Sequence, residues 1–382
     1  MAAPMNGNGA HSGVAGIVAR AQALFDDLNF TAAREWKAAV PGRKVVGYMP
    51  IYVPRELIHA AGMLPLGVVG GGDQLEVIHG DAYYQSYICR IPRSTIELGV
   101  SGRLDFVDGM LFPSICDVIR NLSGMWKMMF PHVYVRYFDV PQNYKDEIGG
   151  NYYIEELNEL RHSIAVYNEN RHLVRDLYAF RAERPWQVPA AEVYLIIRAG
   201  LVLPVEEHSK MLRDYLAAAR AEERPKRDNC RIVLTGVFCE QPPLNLIKSL
   251  ELAGCYVVDD DLLLVTRWLT ADVPVEGNPL KNLALAFLHQ SESTAAKYEP
   301  NLAEKGQHLV RAVKRTGAEG VIFACPSFCD PALLDRPMLQ HVLKAADIPY
   351  IAFKYAENSG QMQPIREQAG TFADSIKLWS GA

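Results

Sequence analysis

Three cysteines stand where this sequence offers most for chemistry. Cys116 lies in the phrase FPSICD, Cys329 in PSFCDP and Cys89 in YICRIPRS, each at or near the end of a short apolar run. Their intervals of 27 and 213 residues have nothing in common with the CxxC pairs of zinc fingers or ferredoxins. Thiolate is nevertheless a soft ligand suited to iron–sulfur clusters, and three protein thiolates would leave one iron open for chemistry. A second account competes: a cysteine outside any disulfide is among the most buried residue types and behaves as a small apolar side chain. Local pattern leaves both accounts standing. Of the other four cysteines, Cys255, beside Val257 and Val258, reads as core. Cys230 and Cys239 are open. Cys325, four residues before Cys329, fits a thiol behind the ligands, a fourth ligand or plain core.

Titratable candidates for proton transfer are fewer. Glu56, in VPRELI, stands at the start of a helix after a strand, where a carboxylate either matches the helix dipole or serves a site. His59 shares that helix. The triplet Glu206-Glu207-His208 has the composition of a proton relay and equally that of a solvated helix face, and His208 is its candidate catalyst. Arg90 and Arg93 flank Cys89, placed either to meet a phosphate or cluster charge or to make ordinary ion pairs. Gly70-Gly71-Gly72 lacks the GxGxxG order of a nucleotide loop and reads as a flexible turn.

These residues need elements to bring them together. Val14 to about Val40 carries apolar residues at helical spacing and ends at Pro41-Gly42. Four short apolar runs follow, VVGYMP (Val45–Pro50), MLPLGVVG (Met63–Gly70), FVDGMLFPS (Phe106–Ser114) and VYVRYFDVP (Val133–Pro141), separated by helical stretches such as Arg55–Ala61 and one beginning near Ser94. Buried strands alternating with helices predict a parallel sheet. A charged, helical stretch runs from about Tyr152 to Arg224. A second series then repeats the alternation with RIVLTGVF, CYVVDD, GVIFACPS and PYIAFKY. The expected fold is α/β, two Rossmann- or flavodoxin-like lobes with parallel sheets joined by a helical connector. The divisions are a flexible tail (1–13), an N-terminal lobe carrying Cys89 and Cys116 (14–151), the connector (152–228) and a C-terminal lobe carrying Cys329 (229–382). PSICD and PSFCD are near copies, which predicts equivalent strand-to-helix corners in the two lobes.

Composition narrows the function classes. With 39 Lys and Arg against 44 Asp and Glu, a net charge of -5 over 382 residues offers nothing to a nucleic-acid backbone. No apolar run approaches the roughly 20 residues that cross a bilayer, and the start MAAPMNGNGAHSG lacks the basic and apolar regions of a signal peptide, so a cytoplasmic protein is expected. Seven cysteines are an odd number for a disulfide framework. No GxxxxGK[ST] phosphate loop occurs.

The phrases GYMPIYVPRELIHAAGMLPLG, YYQSYICRIPRSTIELG, DFVDGMLFPSICDVIRNLSGMWK and GVIFACPSFCDP resemble the 2-hydroxyacyl-CoA dehydratase and benzoyl-CoA reductase family along nearly the whole chain. HGDAYYQSYICRIPRS, MWKMMFPHVYVRYFDVPQNY and LVLPVEEHSKMLRDYL resemble the smaller cluster-carrying subunit of the family's ATP-dependent benzoyl-CoA reductases. The resemblance implies that Cys89, Cys116 and Cys329 bind iron of a [4Fe-4S] cluster; Cys325 departs from the common family wording. It also implies a related, larger cluster-carrying subunit, two ATPase activator subunits that hydrolyse the ATP, ferredoxin as upstream electron donor and benzoyl-CoA as substrate. The implied reaction is reduction of benzoyl-CoA to a cyclohexadiene carboxyl-CoA in anaerobic aromatic degradation. The alternatives are a subunit of a 2-hydroxyacyl-CoA dehydratase and a non-catalytic electron-transfer subunit.

Overall fold

The computed structural model describes residues 13–49, 52–85, 87–139, 161–236, 242–262, 268–291, 304–356 and 362–380. Most of the expected N-terminal tail, the expected lobe-to-connector boundary near 151 and Cys239 lie outside them.

All eight expected strands form. β1 (Val45–Tyr48), β2 (Leu64–Gly67), β3 (Gly109–Pro113) and β4 (Tyr134–Phe138) make one sheet. β5 (Cys230–Thr235), β6 (Cys255–Asp260), β7 (Gly320–Pro326) and β8 (Tyr350–Tyr355) make the other. Each is parallel throughout, in the orders β2-β1-β3-β4 and β6-β5-β7-β8. The two lobes thus have the same strand order, that of flavodoxin-like folds. Central β7 is buried at every residue, as expected of a parallel strand covered on both faces, whereas edge strand β4 is exposed at alternate positions.

Helices α1 (Val14–Asp26), α2 (Thr31–Ala38), α3 (Arg55–Ala60), α4 (Arg90–Val100) and α5 (Asp117–Met129) precede the connector. The connector holds α6 (Arg161–Glu183), α7 (Ala190–Ala199) and α8 (Val205–Ala221). Helices α9 (Leu244–Leu252), α10 (Pro279–His289), α11 (Gln307–Thr316), α12 (Asp330–Ala345) and α13 (Met362–Ser380) complete the second lobe. The single helix expected from Val14 to Val40 is two. The Asp27 carboxylate accepts from the amides of Asn29 (2.9 Å) and Thr31 (2.6 Å), and Phe30 takes φ 55°. A short acidic side chain there captures the amides that a continuing helix would use. Helix α4 starts at Arg90 rather than near Ser94. Pro92 lies in the first turn, where its missing N–H costs nothing.

One core fills the first lobe around Leu66, Ile96, Met110 and Phe112. A second spans connector and C-terminal lobe, joining Val14, Ile17 and Ala21 of α1 to Leu177, Ile196, Leu212, Ile232 and Leu250. Helix α6 carries a buried ion pair toward each lobe, Arg171 Nη1 to Glu56 Oε1 of α3 and Arg181 Nη1 to Asp260 Oδ2 of β6, at 2.8 and 2.7 Å. Ten residues apart, they are separated by about 15 Å of helix. Among the described residues no helix is long and apolar enough to cross a membrane.

Candidate functional site

In this strand order the ligand crevice opens beyond the carboxyl ends of the strands where the winding reverses, here between β1 and β3 and between β5 and β7. Cys116 and Cys329 follow β3 and β7, the corresponding strands of the two lobes. The corners match in detail. The Ser114 amide donates to the carbonyl of Phe138, last residue of β4, at 2.9 Å, and the Ser327 amide to that of Tyr355, last residue of β8, at 2.8 Å. The repeated Pro-Ser-x-Cys-Asp phrase is therefore a repeated structure, with cysteine before the helix and aspartate as its first residue.

Cys116, Cys329 and Cys89 occupy the N-cap positions of α5, α12 and α4, and none closes its helix with a side-chain capping bond. Helix starts present unpaired amides and a positive dipole end, a setting that favours thiolate and anionic groups. Cys89 and Cys116 are half-buried and Cys329 is buried. Burial pushes the Cys116 thiol up, the amides of Val118 and Ile119 work against that, and the charge of Cys329 adds to the rise. Tyr84 is pushed up by burial first and then by Cys89 and Cys116. Cys116 is thus within electrostatic reach of Cys329, and Tyr84 of both Cys89 and Cys116. Thiolates brought near one another repel, and a bound metal would compensate their charge. Among the described residues no group of three or more His, Cys, Asp or Glu side chains would hold a single metal ion. A multi-iron cluster spreads its ligands more widely. The donor set, three soft thiols at helix starts in a partly dry crevice, fits an iron–sulfur cluster.

The segment before α4 is pinned from several sides. Glu97 accepts from the amides of Ile78, His79 and Gly80 at 2.9, 2.6 and 3.0 Å, and its other oxygen meets His79 Nδ1 at 2.9 Å. Burial opposes the Glu97 charge, but the His79 ring and the three amides outweigh it and hold the carboxyl below the usual range. Arg90 donates to the carbonyls of Gly72 and Leu75, and Arg93 to Asp81 and the Ile88 carbonyl. Both arginines thus make the ordinary bonds that were one of their two readings. A Cβ on Gly80 would stand 2.1 Å from the Arg93 carbonyl oxygen, so only glycine lets the loop come this close. The glycine triplet belongs to the same scaffold: the Gly71 amide donates to Ser94 Oγ, beside a cavity of about 30 Å3.

Glu56 lies in the first turn of α3, buried against Arg171. His59 bridges Ser163 Oγ (2.8 Å) and Glu206 (3.1 Å), and Glu207 pairs with Arg20. His208 is enclosed in the connector, its Nε2–H donating to the Ile196 carbonyl and its Nδ1 accepting from Asn170. Desolvation and the Arg55 charge push its pKa down to about 4, so the ring is neutral at pH 7. Neither Glu56 nor His208 has a described hydrogen bond to a cysteine. Cys255 and Cys230 are buried neighbours across β5 and β6, and Cys325 is buried in the core between the second sheet and helices α11 and α12. Two residues of the site escaped sequence reading. Glu97 had a weak signal, a lone acid in an otherwise apolar or small stretch, and Tyr84 had none.

Doubly matched flavodoxin-like lobes with cysteine at each reversal point define a class. The chain belongs to the 2-hydroxyglutaryl-CoA dehydratase D-component family, whose description matches residues 50–376. It is similar to a benzoyl-CoA reductase subunit of Thauera aromatica, 68% identical over 383 aligned positions that cover 96% of this chain and 99% of the relative. More distant relatives include the beta subunits of (R)-2-hydroxyglutaryl-CoA dehydratase from Acidaminococcus fermentans (28% identical, 89% of this chain and 94% of the relative) and of (R)-phenyllactyl-CoA dehydratase from Clostridium sporogenes (26%, 88% and 92%).

Proposed function

We propose that this chain is the smaller cluster-carrying subunit of an ATP-dependent benzoyl-CoA reductase, an oxidoreductase that dearomatises benzoyl-CoA to a cyclohexadiene carboxyl-CoA. The observation that carries this reading is identity: 68% with a benzoyl-CoA reductase subunit along nearly its full length, against 26–28% with two dehydratase beta subunits. The geometry supports the chemistry, because Cys89, Cys116 and Cys329 each stand at a helix start.

In this reading those three cysteines hold a [4Fe-4S] cluster, which supplies low-potential electrons when bound. The chain's own work is positional. The positive dipole ends of α4, α5 and α12 lie at the three cysteines, a setting that suits the anionic sulfur an iron site requires. Burial of Cys329 and partial burial of Cys89 and Cys116 limit water, and solvent exposure is one of the factors that set a cluster's potential. The family resemblance assigns ATP hydrolysis to two activator subunits fed by ferredoxin and completes the site with a larger related subunit, and this sequence itself carries no GxxxxGK[ST] phosphate loop.

The test is anaerobic co-expression with the larger subunit, followed by iron and acid-labile sulfide analysis of wild type and Cys329→Ser. About four irons in this chain's share, lost on mutation, are expected. An iron-free wild type rejects the reading. With activators added, ATP consumed at every turnover marks a reductase, whereas catalytic traces of ATP sufficing would mark a dehydratase.

A further inference from the structure

We infer that Tyr84 is a positioning residue that sets the spacing of Cys89 and Cys116, an inference that rests on the cluster reading above. Tyr84 belongs to the chain segment that delivers Cys89, five residues ahead of it. Its hydroxyl donates to the carbonyl of Val118 at 3.2 Å, in the first turn of α5, two residues beyond Cys116. That bond joins the two cysteine-bearing segments. The ring is buried in the first lobe's core, in the cluster that also holds Ile91 of α4 and Ile119 of α5.

The backbone of Tyr84 is itself anchored, its amide donating to the Gly80 carbonyl at 3.3 Å, in the loop that Glu97 clamps. Glu97 of α4 thus ties down the loop that holds Tyr84, and the hydroxyl ties that loop to α5.

Tyr84→Phe keeps the ring and removes the bond, so it separates positioning from packing. In the co-expressed complex the variant should fold with an unchanged far-UV spectrum. It should lose iron to a chelator roughly five-fold faster, the factor that one net hydrogen bond supports, and show a shifted midpoint potential in anaerobic redox titration. Tyr134→Phe, altering an exposed ring on β4, should match wild type in both. Wild-type iron-loss rate and potential in Tyr84→Phe would overturn the inference. A second measurement needs no cluster: in the full-length apo-chain, a short bis-maleimide should join Cys89 to Cys116 less efficiently in Tyr84→Phe than in wild type. Equal cross-linking overturns the positioning role even if the wild type proves iron-free, whereas reduced cross-linking in an iron-free chain sustains the positioning role and rejects only the cluster reading.

Discussion

His208 illustrates how much one enclosed side chain can weigh. Its folded pKa of about 4 lies below the ordinary 6.5. The unfolded chain therefore takes up a proton near pH 6.5 that the folded site refuses until about pH 4. Stability is fully present above 6.5 and falls as the pH drops through that window, by roughly 3 kcal/mol. His208→Gln should flatten the decline in urea midpoint between pH 6.5 and 4, and an unchanged decline would contradict the environment described. The cysteines divide in the same way. Cys255, its thiol pushed up to about 12 by burial, is inert core, and Cys255→Ala should cost about 1–3 kcal/mol in denaturant titrations while leaving iron content intact.

At the scale of elements, α4 and its preceding loop act as a bracket for one cysteine. Glu97→Gln replaces a charged acceptor of three amides with a neutral one. It should lower stability by about 1.5–3 kcal/mol, measured by thermal unfolding, and lower iron content of the purified complex along with it. Asp27→Ala, at the turn between α1 and α2, should cost only about 1 kcal/mol and leave iron unaffected. The contrast reflects what could be read from residues alone. The eight strands were legible because each is a short apolar run closed by Gly, Pro or charge. The break after α1 was not, since nothing in the periodicity shows Asp27 folding back on two amides. The start of α4, expected near Ser94, lies at Arg90, because a first turn that accommodates Pro92 leaves no mark in the apolar spacing. The cysteine site stands between these cases. Intervals of 27 and 213 residues encode no local geometry, so Cys89, Cys116 and Cys329 can be proposed as a set only through family resemblance, with the PSICD and PSFCD echo as the one internal clue.

Across the whole molecule, α6 is a spar with an ionic bolt toward each lobe. Arg181 is fully buried, paired with Asp260 and 4.3 Å from the Tyr178 ring centroid. Removing one partner of a buried pair leaves the other charge uncompensated, which costs about 3–5 kcal/mol. Arg181→Ala and Glu56→Gln should each lower the unfolding midpoint on that scale. Because both bolts sit on one rigid helix, either variant should increase protease cutting in the two lobes together; cutting confined to one lobe would show that the lobes unfold independently.

The separation of the cysteines along the chain also has a consequence in time. Cys89 and Cys116 leave the ribosome early, while Cys329 follows 213 residues later, roughly 10–40 s at ordinary elongation rates. For that interval a nascent chain holds two of the three thiols at a crevice whose far wall has not been made. On the proposed cluster reading, factors that deliver iron meet a half-site first, and only the emergence of Cys329 turns a sulfur pair into a cradle.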